Sequence, residues 1–174
     1  MPAEVTITST LLHDNGACED QRAIFDHEWP KGLTVIADMI PIIAVKIVAL
    51  GFDVSWGEEN LLSPSQRKVY HAAWEEANKV YWAAMAEATE VFNAPNEKAY
   101  KVWNAAMAKA YANKACYATW AEENKAYFTA MTEADKVFNV AMEEPQKVYN
   151  VATSEAGKVY NTAKAKAFFT ALLF

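Results

Sequence analysis

The sequence predicts an all-α protein, with a small helical head followed by long helices that form a helical hairpin or a coiled-coil bundle. The 174 residues include only five Gly and six Pro, which leaves little room for the turns of an all-β fold. Hydrophobic residues make up 53% of the chain, enough to offset the conformational entropy lost on folding. From Lys68 onward the sequence repeats every eleven residues, which is a helical period.

The head is predicted over residues 1–63. A first helix is expected over residues 17–29, where apolar residues recur at helical spacing until Pro30 stops it. A second helix should follow an N-cap at Thr34 or Asp38 and end before Gly51. The first 15 residues are expected to be irregular, with a short strand over 5–8 as an option.

Two helix-start signals mark the end of the head. Ser55 followed three residues later by Glu58 fits a capping box and predicts a short helix. Ser63, Pro64 and Gln66 fit a second box, with Pro64 at the first helical position. We therefore expect a long helix to begin at Pro64, and we place the domain boundary there, between residues 1–63 and 64–174.

The second region contains nine eleven-residue units. The typical unit reads Lys-Val-Tyr-Asn-Ala-Ala-Met-x-Glu-Ala-x, numbered here as positions 1 to 11. The units begin at Lys68, Lys79, Glu90, Lys101, Lys114, Lys125, Lys136, Lys147 and Lys158.

On a helix, positions 2, 6, 10, 3 and 7 form one apolar arc about 130° wide, which is typical of a core-facing stripe. Lys at position 1 and Glu at position 9 lie on the opposite, solvated side. The aromatic residues at position 3 are expected to pack helix against helix. These stripe residues are Tyr70, Tyr81, Phe92, Trp103, Tyr127, Phe138, Tyr149 and Tyr160.

The phase of the repeat predicts a hairpin. It continues across Pro95 and Pro145, so we expect kinks or brief breaks between collinear segments there. Two extra residues at 112–113 would rotate the stripe by about 200° on a continuous helix. A turn near 111–114 avoids this, and arms over 64–111 and 114–172 then fold against each other.

Aromatic residues also occur outside the stripe, at positions 4 and 11 near the suspected turn. One interpretation buries them between the two arms or under the head. The other makes them an exposed patch that anchors a partner, since Tyr and Trp dominate binding hot spots. The candidate partner patch comprises Trp82, Tyr100, Tyr111, Tyr117 and Phe128.

Charge and motifs indicate no catalytic chemistry. Residues 1–63 carry three Lys or Arg against ten Asp or Glu, and the remainder is nearly neutral, so neither part offers the basic face of a nucleic-acid binder. The spacing of His13, Cys18 and His27 matches no zinc pattern. We expect no cofactor, no metal and no enzymatic activity, and we interpret Cys18 and Cys116 as buried, reduced thiols.

Residues 17–32 and 50–62, followed by Tyr- and Ala-rich units, resemble a group of uncharacterised phage and prophage proteins. Those proteins combine a short Cys-containing head with Ala-rich, Tyr-containing eleven-residue repeats. The resemblance implies a viral or mobile-element setting and no particular activity.

Together these features favour a non-enzymatic helical interaction or scaffold protein that forms homo-oligomers or docks a protein partner, such as a host protein. Two alternatives stay open: an inhibitor of a host defence nuclease, and an amphipathic membrane-surface binder. The alanine-centred stripe, with its lysines far from the centre, argues against the membrane. No signal peptide is visible, so we expect a cytoplasmic location, in the host cell if the protein is phage-encoded.

Overall fold

The computed structural model describes residues 4–112 and 119–174. Within them the chain is predominantly helical, which confirms the coarse prediction. Two strands and six helices follow one another, with a single 3₁₀ turn at Ala37–Met39 between the second strand and the third helix. The elements are β1 (Glu4–Ile7), α1 (Ser9–Asp14), α2 (Glu19–Glu28), β2 (Leu33–Ile36), α3 (Ile40–Ala49), α4 (Val54–Leu61), α5 (Pro64–Ala112) and α6 (Trp120–Leu172).

The chain forms two compact units. The first runs from the N-terminus to Trp82 and includes Ala156–Phe174, and the second is Ala83–Glu155. The predicted boundary between residues 63 and 64 coincides with the start of α5. The two units divide elsewhere, after Trp82 within α5 and after Glu155 within α6. The reason lies in the core of the first unit, which includes Tyr70 from α5 and Phe169 from α6.

The head is not purely helical, because β1 and β2 pair as an antiparallel ribbon with Val5 opposite Val35. Leu33 and Val35 are buried and the intervening Thr34 is exposed, the alternation of a half-buried strand. The expectation that Thr34 or Asp38 caps the next helix was wrong, since Asp38 lies inside the 3₁₀ turn and Met39 is the residue before α3. Gly32 precedes the strand with φ at 88°, and a Cβ there would lie 2.9 Å from the carbonyl oxygen of Ile7, so the turn requires glycine.

Side-chain caps set the helix starts. Ser63 and Gln66 form the predicted reciprocal box: Gln66 Oε1 accepts from the Ser63 amide at 2.9 Å, and Ser63 Oγ accepts from the Gln66 amide at 3.4 Å. The start predicted at Ser55 was wrong by two residues. Asp53 is the cap of α4, since its carboxylate accepts from the amides of Ser55 and Trp56.

The two internal prolines do not divide the long helices. α5 runs through Pro95 and α6 runs through Pro145 without interruption, so neither proline marks a break between separate helices. The predicted turn near 111–114 lies largely outside the described residues. Over the part of the chain that the structure describes, no helix has the length and apolarity required to cross a bilayer.

The core of the first unit joins the head to the ends of the long helices. Phe25 from α2, Val35 from β2 and Phe169 from α6 are almost completely buried in one cluster. α5 and α6 run antiparallel in this unit: Trp74 Nε1 donates to Tyr160 Oη at 2.6 Å, and the rings of Tyr81 and Tyr160 are 4.9 Å apart. Gln66 Nε2 also donates to the carbonyl oxygen of Leu172.

Tyr70 is only 1% exposed, and no described residue makes a hydrogen bond with its buried hydroxyl. Burial raises the pKa of Tyr70, and the charges near it, chiefly that of Glu58, act in the same direction. The stability of the fold should therefore fall as the pH rises above the unfolded-state pKa of about 10, because the unfolded chain then releases the phenol proton while the folded protein still holds it.

Replacing Phe169 tests the helix-to-head core. Phe169 is 1% exposed and Phe174 is 82% exposed. We expect Phe169→Ala to lower the free energy of unfolding by about 3–5 kcal/mol, the usual cost of a large core cavity, and Phe174→Ala to change it by less than about 0.5 kcal/mol. Urea unfolding followed by circular dichroism measures both, and similar midpoints for the two variants would contradict this core.

Replacing Tyr70 tests its unpaired hydroxyl. Tyr70→Phe should leave stability at pH 7 unchanged or slightly higher, because it removes a buried polar group that has no partner. Between pH 9 and pH 11 the variant should lose less stability than the wild type, since it has no buried phenol to ionise. Urea midpoints across this range give the comparison, and a marked loss at pH 7 would mean that the hydroxyl is bonded.

Candidate interaction surface

The second unit is built on a seam between α5 and α6. Three aromatic pairs lie along it, with ring centroids 5.2 Å apart for Phe92 and Tyr149, 4.9 Å for Tyr100 and Phe138, and 5.1 Å for Tyr111 and Tyr127. Residue numbers rise along one helix as they fall along the other, so the helices are antiparallel in this unit.

Small and polar groups complete the seam. The alanines at position 10, Ala88, Ala99 and Ala134, are buried and let the helices approach closely. Trp103 Nε1 donates to Asp135 Oδ1 at 2.8 Å. The hydroxyls of Tyr111 and Tyr127 lie 3.0 Å apart, and this hydrogen bond raises the pKa of Tyr127.

Every predicted stripe residue faces protein to some degree. Tyr70 is buried and the other seven are partly buried. Tyr70, Tyr81 and Tyr160 belong to the first unit, and the second holds the rest, namely Phe92, Trp103, Tyr127, Phe138 and Tyr149.

Apart from Val69, the described valines of position 2, also placed in the stripe, are half-exposed instead. The buried seam therefore covers positions 10, 3 and 7 on one side of the predicted arc and leaves position 2, on the other side, uncovered.

A second apolar face remains exposed on the second unit. We call it the outer stripe: positions 2, 5 and 6 of each unit, where valine and alanine predominate. Its valines are 49–73% exposed, namely Val91 and Val102 on α5, and Val137, Val140, Val148 and Val151 on α6. Positions 2 and 3 are adjacent residues about 100° apart on a helix, so contact along the seam cannot also bury the outer stripe.

A groove of about 380 Å³ lies between α5 and α6 on this face. Val102, Ala106 and Val137 form its apolar floor, with Lys109 on the α5 side and Glu133 on the α6 side. Among the described residues, neither Lys109 nor Glu133 takes part in an ion pair. In the described part of the second unit, ion pairs form within a single helix, as those of Lys147 with Glu143 and Glu144 do, at 2.8 and 2.9 Å.

The candidate partner patch is exposed where the structure describes it. Trp82 lies in the first unit, and Tyr100, Tyr111 and Phe128 lie in the second, each more than half exposed. Tyr100 and Tyr111 also contribute ring contacts to the seam. Tyr117 lies outside the described residues. Sequence reasoning overlooked the outer stripe, although its signal, valine at position 2 with alanine at positions 5 and 6, is visible in the repeat.

His13, Cys18 and His27 are the residues whose spacing was compared with a zinc site. Among the described residues, no group of His, Cys, Asp and Glu is arranged to hold a metal ion. The His13 ring nitrogen Nδ1 lies 3.2 Å from Oδ1 of its neighbour Asp14. Cys18 is exposed, so its interpretation as a buried thiol was wrong, and Cys116 lies outside the described residues.

Comparisons of the chain with protein-family models, with curated proteins and with solved structures find no match.

Tyr149→Ala tests the seam. Tyr149 is partly buried against Phe92, whereas the adjacent Asn150 is exposed and makes one side-chain hydrogen bond within its own helix. We expect Tyr149→Ala to cost about 2–4 kcal/mol of unfolding free energy, and Asn150→Ala to change it little because alanine favours the helix. Thermal melts that shift equally for both variants would show that the seam is misassigned.

Proposed function

We propose that the protein is a non-enzymatic helical interaction protein that self-associates through the outer stripe of its second unit. The observation that carries the proposal is the set of exposed valines on both helices of this unit, with charged residues of position 9 beside them. Scattered exposed apolar residues are ordinary on protein surfaces, whereas a contiguous apolar face indicates an interaction site.

Charge around the groove favours a second copy of this chain as the occupant. Two copies placed face to face about a twofold axis parallel to the helices bring α5 of one over α6 of the other. Lys109 of each copy then lies near Glu133 of the other, so the pairing is satisfied twice by symmetry. Both groups lack an ion-pair partner among the described residues, and both line the apolar groove.

The composition of the stripe supports the same arrangement. Valine at position 2 alternates with alanine at positions 5 and 6, so large side chains of one copy can enter the gaps above small ones of the other. The resemblance to phage and prophage proteins supports a setting in the cytoplasm of an infected host. In that setting, an oligomeric helical scaffold is the function that we assign.

Conservative changes to the outer stripe test self-association. A Val91→Thr, Val102→Thr, Val137→Thr and Val148→Thr variant keeps the β-branched shape and removes apolar surface. We expect it to weaken dimerisation by roughly a hundredfold while its melting temperature at low concentration changes little. The matched control changes the exposed asparagines of position 4 to threonine at Asn93, Asn104, Asn139 and Asn150. Sedimentation equilibrium measures both, and a wild type that stays monomeric at 100 µM would refute the proposal.

A charge swap tests the proposed face-to-face arrangement of the two copies. Lys109→Glu or Glu133→Lys alone should weaken dimerisation roughly fivefold, because each places like charges together twice. The double variant restores the opposite-charge pairs and should dimerise nearly as well as the wild type. If the losses of dimer affinity in the two single variants simply add in the double variant, the face-to-face arrangement is wrong. Self-association would then have to use another register.

A further inference from the structure

The first unit contains a cleft that the proposed self-association does not use. It has a volume of about 210 Å³ and lies between the segment that joins α1 to α2 and the start of α4. Leu12, Phe52 and Trp56 supply its apolar walls. For comparison, an apolar cavity of about 150 Å³ can bind benzene, so this cleft has room for a small aromatic or branched aliphatic molecule.

A second, smaller cavity of about 60 Å³ adjoins the cleft, and Leu12, Phe52, Asp53 and Trp56 line both. Its other walls are almost entirely apolar and include Phe168 of α6, which lies about 3.0 Å from the position that a Cβ on Gly57 would occupy. The pair of cavities therefore presents a polar mouth and an apolar interior, the usual character of a small-molecule site.

The polar groups at the mouth are hydrogen-bond acceptors. Asp53 Oδ1 accepts from the amides of Ser55 and Trp56 at 2.9 and 3.2 Å, and Oδ2 accepts from no described residue. Gln21 also lines the cleft, and its Oε1 is shielded from solvent without a hydrogen-bond partner in the described part of the chain.

We propose that this cleft binds a small apolar amine. The ammonium group lies at the mouth, where it pairs with the Asp53 carboxylate, and the apolar part lies against Phe52 and Trp56. A carboxylic acid of the same shape would place like charge beside Asp53.

Phenethylamine and phenylacetate are matched probes for this charge preference. Titrations followed by two-dimensional NMR of the indole N–H groups report on Trp56, which Trp56→Phe identifies. We expect phenethylamine to bind at millimolar concentration or tighter and to shift the Trp56 signal, with phenylacetate at least roughly fivefold weaker. Equal binding of the two probes, stronger binding of phenylacetate, or no shift with either at 20 mM would overturn the proposal.

Asp53→Asn isolates the charge. Asparagine still caps α4, so the fold should be retained, and the affinity for phenethylamine should fall about fivefold. Glu59→Gln is the control, because Glu59 is an exposed carboxylate of the same helix that does not line the cleft. An equal effect of the two changes would mean that the amine responds only to overall charge, and would refute the role of Asp53.

Cys18 provides a second readout, because it lines the same cleft and is exposed. In a Cys116→Ser background it is the only thiol of the chain. Saturating phenethylamine should slow alkylation of Cys18 by iodoacetamide at least threefold, and phenylacetate at the same concentration should slow it less. Unchanged alkylation under phenethylamine would place any bound amine elsewhere. None of these measurements depends on self-association, so the two proposals stand or fall separately.

Discussion

The structure depends on the antiparallel contact of α5 with α6 along positions 3, 7 and 10 of the repeat. Within the second unit, the described contacts between secondary-structure elements are those between the two long helices, because no other described element belongs to it. Aromatic rings meet at about 5 Å along the seam, and alanines between them allow close approach. Most helical stability in proteins comes from the packing of an amphipathic face, so this contact is the main source of stability for the helices of the second unit.

Much of this arrangement could be predicted from the repeat. Eleven residues fill three helical turns, which fixed the residues that share a face and identified position 3 as a contact row. The capping box at Ser63 was equally readable, since it depends only on neighbouring residues. The centre of the buried arc could not be predicted, because valine at position 2 and alanine at position 10 are both apolar. Only the partner helix decides which of them is covered.

The head was harder to predict for a similar reason. Its β1–β2 ribbon joins residues about 30 positions apart, and four-residue strands carry little periodic signal. Asp and Ser are both good N-cap residues. The local sequence therefore could not show that Asp53, and not Ser55, is the cap of α4. The cleft beside Gln21 and Asp53 arises from loops that meet in space, so no local pattern in the sequence could reveal it.

The unbroken phase of the repeat also bears on how such a chain can change its length. Each unit advances a helix by about 16 Å and returns every side chain to its original face. Duplicating one unit in α5 together with its counterpart in α6 would lengthen the second unit by a whole period and preserve each ring pair. Extension by a single residue would turn the seam by about 100°, so a matched insertion of whole repeat units is a way to alter the reach of this scaffold that preserves the seam.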